Sequence, residues 1–236
     1  MHIINIDNNV IYHSIYTYLN SNMYLMIEDK KALIIDPHKD KEFYDLLIKK
    51  QIKEITILLT HEHPDHTSGL PFFSDNFNCK VICQKKCAEF ISDVHTNRPV
   101  LISFILEEQD RLNKTNKLAE FNSEYIPFSY KPDIVFDEYF NFKWENHNFA
   151  FIKVEGHSLG SCCILMDDKI MFSGDTLLKD YPVITRFPGG NRKKYIAEVI
   201  PFFESLNPDY IVFPGHGNIF RLKDLFKDGK INVEFR

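Results

Sequence analysis

The stretch Leu58-Leu59-Thr60-His61-Glu62-His63-Pro64-Asp65-His66 places three histidines and an aspartate within six residues, directly after an apolar run. That run, residues 55–59, has the length and β-branched content of a buried strand. His61 and His63 are two residues apart, so an extended backbone directs both imidazoles to one side. Pro64 turns the chain and directs Asp65 and His66 toward a neighbouring point. Because zinc and similar cations take nitrogen and carboxylate ligands, the stretch predicts a metal site.

Three later motifs each place one ligand-type side chain at the end of an apolar strand. They are Gly156-His157-Ser158, Gly174-Asp175 and Gly215-His216. The glycine in each motif permits a tight backbone turn. A single histidine is more often an ordinary surface or core residue than a ligand. Four candidate ligands in six residues, with three more at strand ends, favour the metal interpretation.

Together with the strand Ala32-Leu33-Ile34-Ile35-Asp36, these motifs follow the order found in a known family. The sequence resembles the metallo-β-lactamase-fold hydrolase superfamily over nearly its whole length. The resemblance implies an α/β protein with a four-layer αββα sandwich, in which two sheets are covered by helices. In this chain Pro37-His38 follows the early aspartate, where many relatives have a glycine.

The resemblance also implies a role for each candidate ligand. The first metal would be held by His61, His63 and His157. The second metal would be held by Asp65, His66 and His216, and Asp175 would bridge the two. Asp36 would orient ligands without binding metal.

The implied chemistry is hydrolysis with two divalent cations, zinc being favoured over iron and manganese. Two cations lower the pKa of a shared water from near 16 to about 7, which supplies a bridging hydroxide at neutral pH. Asp65 and Asp175 would position that hydroxide as the catalytic carboxylates. No serine or cysteine nucleophile is required.

The expected substrate is a small ester-type molecule, a thioester first and a lactone second. Residues 185–191 are similar to a loop of glyoxalase II-like hydrolases, which cleave thioesters of glutathione. Only 20 residues follow His216, too few for the helical domain that holds glutathione in those enzymes. Tyr181 and Arg186 are candidate substrate-binding residues in the loop 177–191.

Three other functions stay open at this point. The first is a mononuclear iron oxygenase acting on a persulfide, since some members with this motif order are of that kind. The second is a phosphodiesterase, although no extra nucleic-acid-binding element is evident. The third is a non-catalytic module that keeps its metals for stability.

Composition narrows the class of protein. The 236 residues fit one domain, 44% of them are hydrophobic and 26% are charged, as in ordinary globular proteins. The net charge of −5 disfavours a nucleic-acid partner and leaves a small molecule as the expected one. No membrane span or signal peptide is evident, and five unpaired cysteines suit a reduced cytoplasm. The oligomeric state stays open.

Periodicity predicts two strand-rich halves, each followed by helices. Strands are predicted at 14–18, 22–27, 31–35, 55–59, 79–83, 140–143, 149–154, 161–166, 169–173 and 210–213. Helices are predicted at 40–50, from 67 or 68 onward, at 84–92, 192–206 and 222–226. Residues 93–140 depart from a minimal fold, with one or two helices that form either a lid over the metal cleft or a surface cover.

Overall fold

The first sheet of the computed structural model, which describes residues 1–97 and 99–236, has seven strands in sequential order. They are β1 (His2–Ile6), β2 (Asn9–Ile15), β3 (Asn22–Glu28), β4 (Lys31–Ile35), β5 (Glu54–Leu58), β6 (Asn78–Gln84) and β7 (Ile134–Phe136). Strands β1 to β4 form an antiparallel meander, whereas β4 to β7 pair in parallel. The carboxyl ends of β4, β5 and β6 therefore meet at one edge.

The second sheet has six strands in the order β13-β12-β11-β10-β9-β8. They are β8 (Tyr139–Trp144), β9 (His147–Lys153), β10 (Cys162–Met166), β11 (Ile170–Gly174), β12 (Ile211–Pro214) and β13 (Phe220–Arg221). Strands β11 and β12 are parallel, and β9 runs in the same direction because β10 is antiparallel to both neighbours. A separate short hairpin consists of β14 (Phe226–Lys227) and β15 (Lys230–Ile231).

Helices connect these strands. They are α1 (Lys41–Lys49), α2 (Pro64–Thr67), α3 (Leu70–Ser74), α4 (Lys85–Ile91), α5 (Val100–Asn113), α6 (Lys117–Glu124), α7 (Arg192–Lys194) and α8 (Ile200–Ser205). A π-helical turn, Tyr195–Val199, joins α7 to α8, and a 3₁₀ helix spans Leu222–Leu225.

Three buried clusters lie between four layers. Leu25 of β3 packs with Phe43 of α1 on the outer side of the first sheet. Its neighbour Tyr24 points to the opposite face, as alternation in a strand requires, and packs with Phe172 of the second sheet. The outer face of the second sheet buries Phe203 of α8. The predicted four-layer αββα sandwich is confirmed.

The insertion contains the two helices α5 and α6. A small cluster joins it to the loop after β2, where Tyr16 and Tyr18 pack with Ile102, Leu106 and Phe121. This contact places α5 beside the carboxyl edge of the first sheet. The interpretation of residues 1–236 as one domain with a lid at 93–140 stays a prediction.

Several predicted boundaries were wrong. Strand β2 spans Asn9–Ile15 and pairs with β1, so the prediction of a strand at 14–18 missed the amino-terminal hairpin. The helix predicted from 67 or 68 onward is two short helices, α2 beginning at Pro64 and α3 beginning at Leu70, each with a proline in its first turn. Strand β9 begins at His147, two residues before the strand predicted at 149–154.

The five cysteines are free thiols, and four of them are buried. Cys162 and Cys163, which alternate on β10, face two different cores, as expected for inert thiols. Among the described residues, no helix combines the length and the hydropathy needed to span a membrane.

Candidate metal centre

The candidate ligands lie where strands of both sheets end. Asp36 follows β4, and its buried carboxylate accepts hydrogen bonds from the backbone N–H of Thr60 at 2.8 Å and from the Thr60 hydroxyl at 2.5 Å. These bonds fix the chain just beyond β5. The same carboxylate lies 3.2 Å from Nδ1 of His66, so Nδ1–H donates to it and Nε2 faces the centre.

The first group consists of His61, His63 and His157, whose ring nitrogens lie within 4.8 Å of one another. Nε2 of His61 and Nε2 of His157 each lie 3.1 Å from Nδ1 of His63. His157 donates Nδ1–H to the carbonyl oxygen of Ile184 at 2.8 Å, which leaves Nε2 as a lone-pair donor. The three imidazoles are therefore aimed at a common point.

The second group consists of Asp65, His66 and His216. Nε2 of His66 lies 3.4 Å from Nε2 of His216 and 3.4 Å from Oδ2 of Asp65. Nε2 of His216 lies 3.3 Å from the same Asp65 oxygen. Pro64 begins α2, and this turn of the chain separates the second group from the first.

Asp175 lies between the two groups. Its Oδ2 is 3.3 Å from Nε2 of His216 and 3.8 Å from Nε2 of His157, while Oδ1 is 3.4 Å from Nε2 of His66. The parallel pairing of β11 with β12 brings Asp175 beside His216, and Gly215 N–H donates to the Gly174 carbonyl oxygen at 2.8 Å.

Burial decides the charge of the first group. It lowers the pKa of His61 well below the ordinary value and lowers the pKa of His63 to about 3. Burial also lowers the pKa of His157. All three rings are therefore neutral near pH 7 and keep the lone pairs that a cation needs.

The second group is governed by charge pairing. Burial alone would lower the pKa of His66, but the carboxylates of Asp65 and Asp175 raise it well above the ordinary value. Burial likewise opposes the charge of His216, whose pKa the Asp175 carboxylate raises to about 9. Burial would raise the pKa of Asp65 and Asp175, yet the two histidines hold both well below the usual range. The two ionised carboxylates thus attract positive charge.

The donor set fits cations better than it fits hydrogen bonds. A single hydrogen on Nδ1 of His63 can bond directly to only one of the two Nε2 atoms that lie 3.1 Å away. Among the described residues, the buried Oδ1 of Asp175 has no hydrogen-bond donor. Ligand atoms around a tetrahedral cation with bonds of about 2.0–2.1 Å lie about 3.3 Å apart, close to the separations found here.

Glu62 is a buried residue whose role was not predicted from the sequence. Its Oε2 accepts from the Ser158 hydroxyl at 2.9 Å, and its Oε1 accepts from Gly160 N–H at 3.4 Å. The Ser158 and Ser161 hydroxyls lie 2.7 Å apart. Burial raises the pKa of Glu62. This network ties the loop of His61 and His63 to the loop of His157. The sequence did contain a signal for this role. Side chains alternate along an extended backbone, so Glu62 points away from His61 and His63 on either side of it.

A cavity of about 540 Å³ opens directly onto the candidate ligands. Tyr181 lines it and is half exposed. Arg186 is exposed and is not among the described lining residues. No serine or cysteine occurs in the described lining. The cavity therefore combines ligand-type side chains with apolar ones, and Thr96 and Tyr181 contribute its hydroxyl groups.

The profile of the Metallo-beta-lactamase superfamily matches residues 16–216. The chain belongs to this superfamily. It is 26% identical over 211 residues to a probable metallo-hydrolase of Streptococcus pyogenes, covering 88% of this chain and 83% of that protein. It is 25% identical over 195 residues to a hydroxyacylglutathione hydrolase of Hydrogenovibrio crunogenus, covering 80% of this chain and 54% of that protein.

Solved structures of this superfamily share the fold. The crystal structure of the BLEG-1 B3 metallo-beta-lactamase superposes with a TM-score of 0.71 at 23% identity, covering 90% of this chain and 94% of that one. The di-iron-bound form of TTHA1623 superposes with a TM-score of 0.63 at 21% identity, covering 90% and 95%. The chain is thus a member of a metallo-hydrolase superfamily with histidine and aspartate groups arranged to bind divalent metal.

Proposed function

We propose that this protein is a dinuclear metal-dependent hydrolase of a small ester-type substrate, a thioester first. The observation that carries the proposal is the pair of adjacent donor groups with Asp175 between them. His61, His63 and His157 would hold one cation, and the Asp65, His66 and His216 group would hold the other. Zinc is the leading metal, because imidazole and carboxylate ligands suit it.

Bound cations would supply hydroxide at neutral pH and polarise the carbonyl oxygen of the substrate. The chain contributes the ionised carboxylates of Asp65 and Asp175, which line the same cavity. They can position the attacking hydroxide by accepting a hydrogen bond from it. Tyr181 lines that cavity and is proposed to donate a hydrogen bond to the substrate. Arg186, outside the described lining, stays a prediction.

The proposed reaction consumes one water for each thioester. The hydroxide oxygen bonds to the acyl carbon, and the carbon–sulfur bond breaks with its electron pair on sulfur. The resulting thiolate takes the proton that the water lost when it became hydroxide. The products are a carboxylic acid and a thiol. Support for the thioester comes from residues 185–191 and from the similarity to a hydroxyacylglutathione hydrolase.

The test is a hydrolysis screen with purified protein of measured metal content. We expect turnover of an acyl thioester, loss of turnover on chelation, and recovery when zinc is restored. Asp175→Asn is the site variant, and Asp180→Asn, an exposed neighbour, is its control. A metal-replete protein that leaves thioesters, lactones and phosphodiesters intact would contradict the proposal. Oxygen consumption with iron and a persulfide would favour the oxygenase instead.

A further inference from the structure

The insertion supplies one wall of the cavity that opens onto the candidate ligands. Ile102, Ile105 and Gln109 of α5 line the cavity and occupy positions i, i+3 and i+7, which share one face of a helix. Ile102 is also buried in the cluster that anchors the insertion. Phe104, at an adjacent position on the helix, is 67% exposed and lies outside the described lining.

The loop after β11 also contributes apolar side chains to the cavity. Leu178, Ile184 and Phe187, all from the loop after β11, line the cavity. The ring of Phe187 lies 6.4 Å from the His63 imidazole, centroid to centroid, so apolar surface begins directly beside a candidate ligand. Ile184 contributes its carbonyl oxygen to His157 as well. The cavity therefore brings apolar side chains close to the centre, while Asn20, Thr96 and Asn97 add polar groups to its lining.

Few charged side chains are available for a charged substrate group. Arg236 is the one arginine among the described lining residues, and lysine is absent from them. Asp65 and Asp175 belong to the metal centre, and Glu62 is already bonded to Ser158. A glutathione group carries two carboxylates and one ammonium, which this lining does not match. The volume of about 540 Å³ suits a small organic ligand.

We infer that the substrate carries an apolar acyl chain, which binds between α5 of the insertion and the loop 178–187. Resting on the proposed hydrolase function, this inference specifies its substrate class and makes Ile105 a specificity-determining residue. Burial of each methylene between these walls favours binding by up to about fourfold. Longer chains should therefore bind more tightly until the cavity is full.

The first test measures binding without turnover. Zinc-loaded protein is titrated calorimetrically with butyrate, hexanoate and octanoate, which are the carboxylate products of the proposed reaction. We expect the Kd to fall at least about tenfold from butyrate to octanoate, with a negative heat-capacity change. Ile105→Ala should reduce that ratio about threefold or more, whereas Phe104→Ala, on the exposed side of the same helix, should leave it unchanged.

The second test measures kcat/KM for butyryl and octanoyl thioesters of N-acetylcysteamine, an uncharged thiol. We expect a higher kcat/KM for the octanoyl thioester than for the butyryl thioester. Ile105→Ala should reduce this preference, and Phe104→Ala should not. Equal affinity for butyrate and octanoate, or equal effects of the two variants, would overturn the inference whether or not thioesters are cleaved. Tighter octanoate binding without cleavage of any ester would overturn the hydrolase function and leave the apolar binding site standing.

Discussion

Nε2 of His157 lies 3.1 Å from Nδ1 of His63, although 94 residues separate the two histidines in the sequence. Nδ1 of His157 is committed to the Ile184 carbonyl, so the facing nitrogen carries a lone pair. Burial lowers the pKa of both rings, so a proton shared between these two nitrogens is disfavoured. The sandwich holds these two nitrogens in an arrangement that a cation would stabilise.

Replacement of Gly215 by alanine should disturb the second group. A Cβ there would overlap Oδ1 of Asp175 and lie 2.9 Å from Cε1 of His66. We expect Gly215→Ala to lower the metal content by about one equivalent, measured by elemental analysis after reconstitution. Gly229→Ala is the control, because nothing lies within 4 Å of the added carbon. Its φ of +77° should cost only about 1 kcal/mol of stability.

Removal of the Glu62 carboxylate should weaken metal binding by the first group, although Glu62 is not one of its ligands. Glu62→Leu leaves the buried Ser158 hydroxyl without this acceptor, which should cost about 1–3 kcal/mol of unfolding free energy. Its zinc affinity should fall as well, because the His157 loop loses its tie to His61 and His63. Glu62→Gln keeps an acceptor oxygen and should recover most of both losses. Zinc titration and denaturant unfolding measure the two effects, and equal behaviour of both variants would refute the tie.

Acid should destabilise the protein partly through His38. Its ring stacks on Tyr16 with centroids 5.0 Å apart, and burial lowers its pKa to about 4. Since the unfolded chain titrates near 6.5, it binds more protons than the folded chain between pH 6.5 and 4. Stability attributable to neutral His38 is therefore full above pH 6.5 and falls toward pH 4, by up to about 3 kcal/mol.

The His38→Gln variant isolates this contribution. Denaturant unfolding at several pH values should show a shallower loss of stability in the variant than in the unchanged protein between pH 6.5 and 4. Parallel curves would show that His38 does not titrate on unfolding in this window.

The far end of the sandwich carries a separate polar link between the sheets. His147 lies 2.5 Å from Oδ2 of Asp167 through Nδ1 and 2.6 Å from Oε1 of Glu28 through Nε2. His147→Ala should lower the unfolding free energy by about 1–3 kcal/mol, because two partly buried carboxylates lose their partner. Metal content should not change, since His147 lies at the opposite end of β9 from His157. A loss of metal in this variant would show that the two ends are coupled.

The resemblance implied the sandwich, and local signals predicted the strand ends at which the candidate ligands lie. Apolar strands that stop at histidine, aspartate and glycine are visible in the sequence, and the end of β5 before Thr60-His61 is the clearest case. The strand β1 was missed because its burial is slight and its signal is therefore weak. The turn before β2 uses Asp7 with φ +52°, which small polar residues tolerate.

The walls of the cavity could not be predicted in the same way. Ile105 and Phe187 become neighbours of the metal centre only through tertiary packing, and helical spacing alone cannot say which apolar face meets a ligand. Glu62 is similar, because its partner Ser158 lies 96 residues away. Contacts of this range depend on how the two sheets stack.

Metal stoichiometry tests whether the candidate ligands hold two cations. The His216→Ala variant changes only a partly exposed ligand of the second group. The variant and the unchanged protein are stripped with chelator, reconstituted with zinc and analysed for metal. We expect two equivalents of zinc in the unchanged protein, one in the variant, and thioester turnover only in the unchanged protein. Fewer than two equivalents in the folded, unchanged protein, or two retained in the variant, would contradict it.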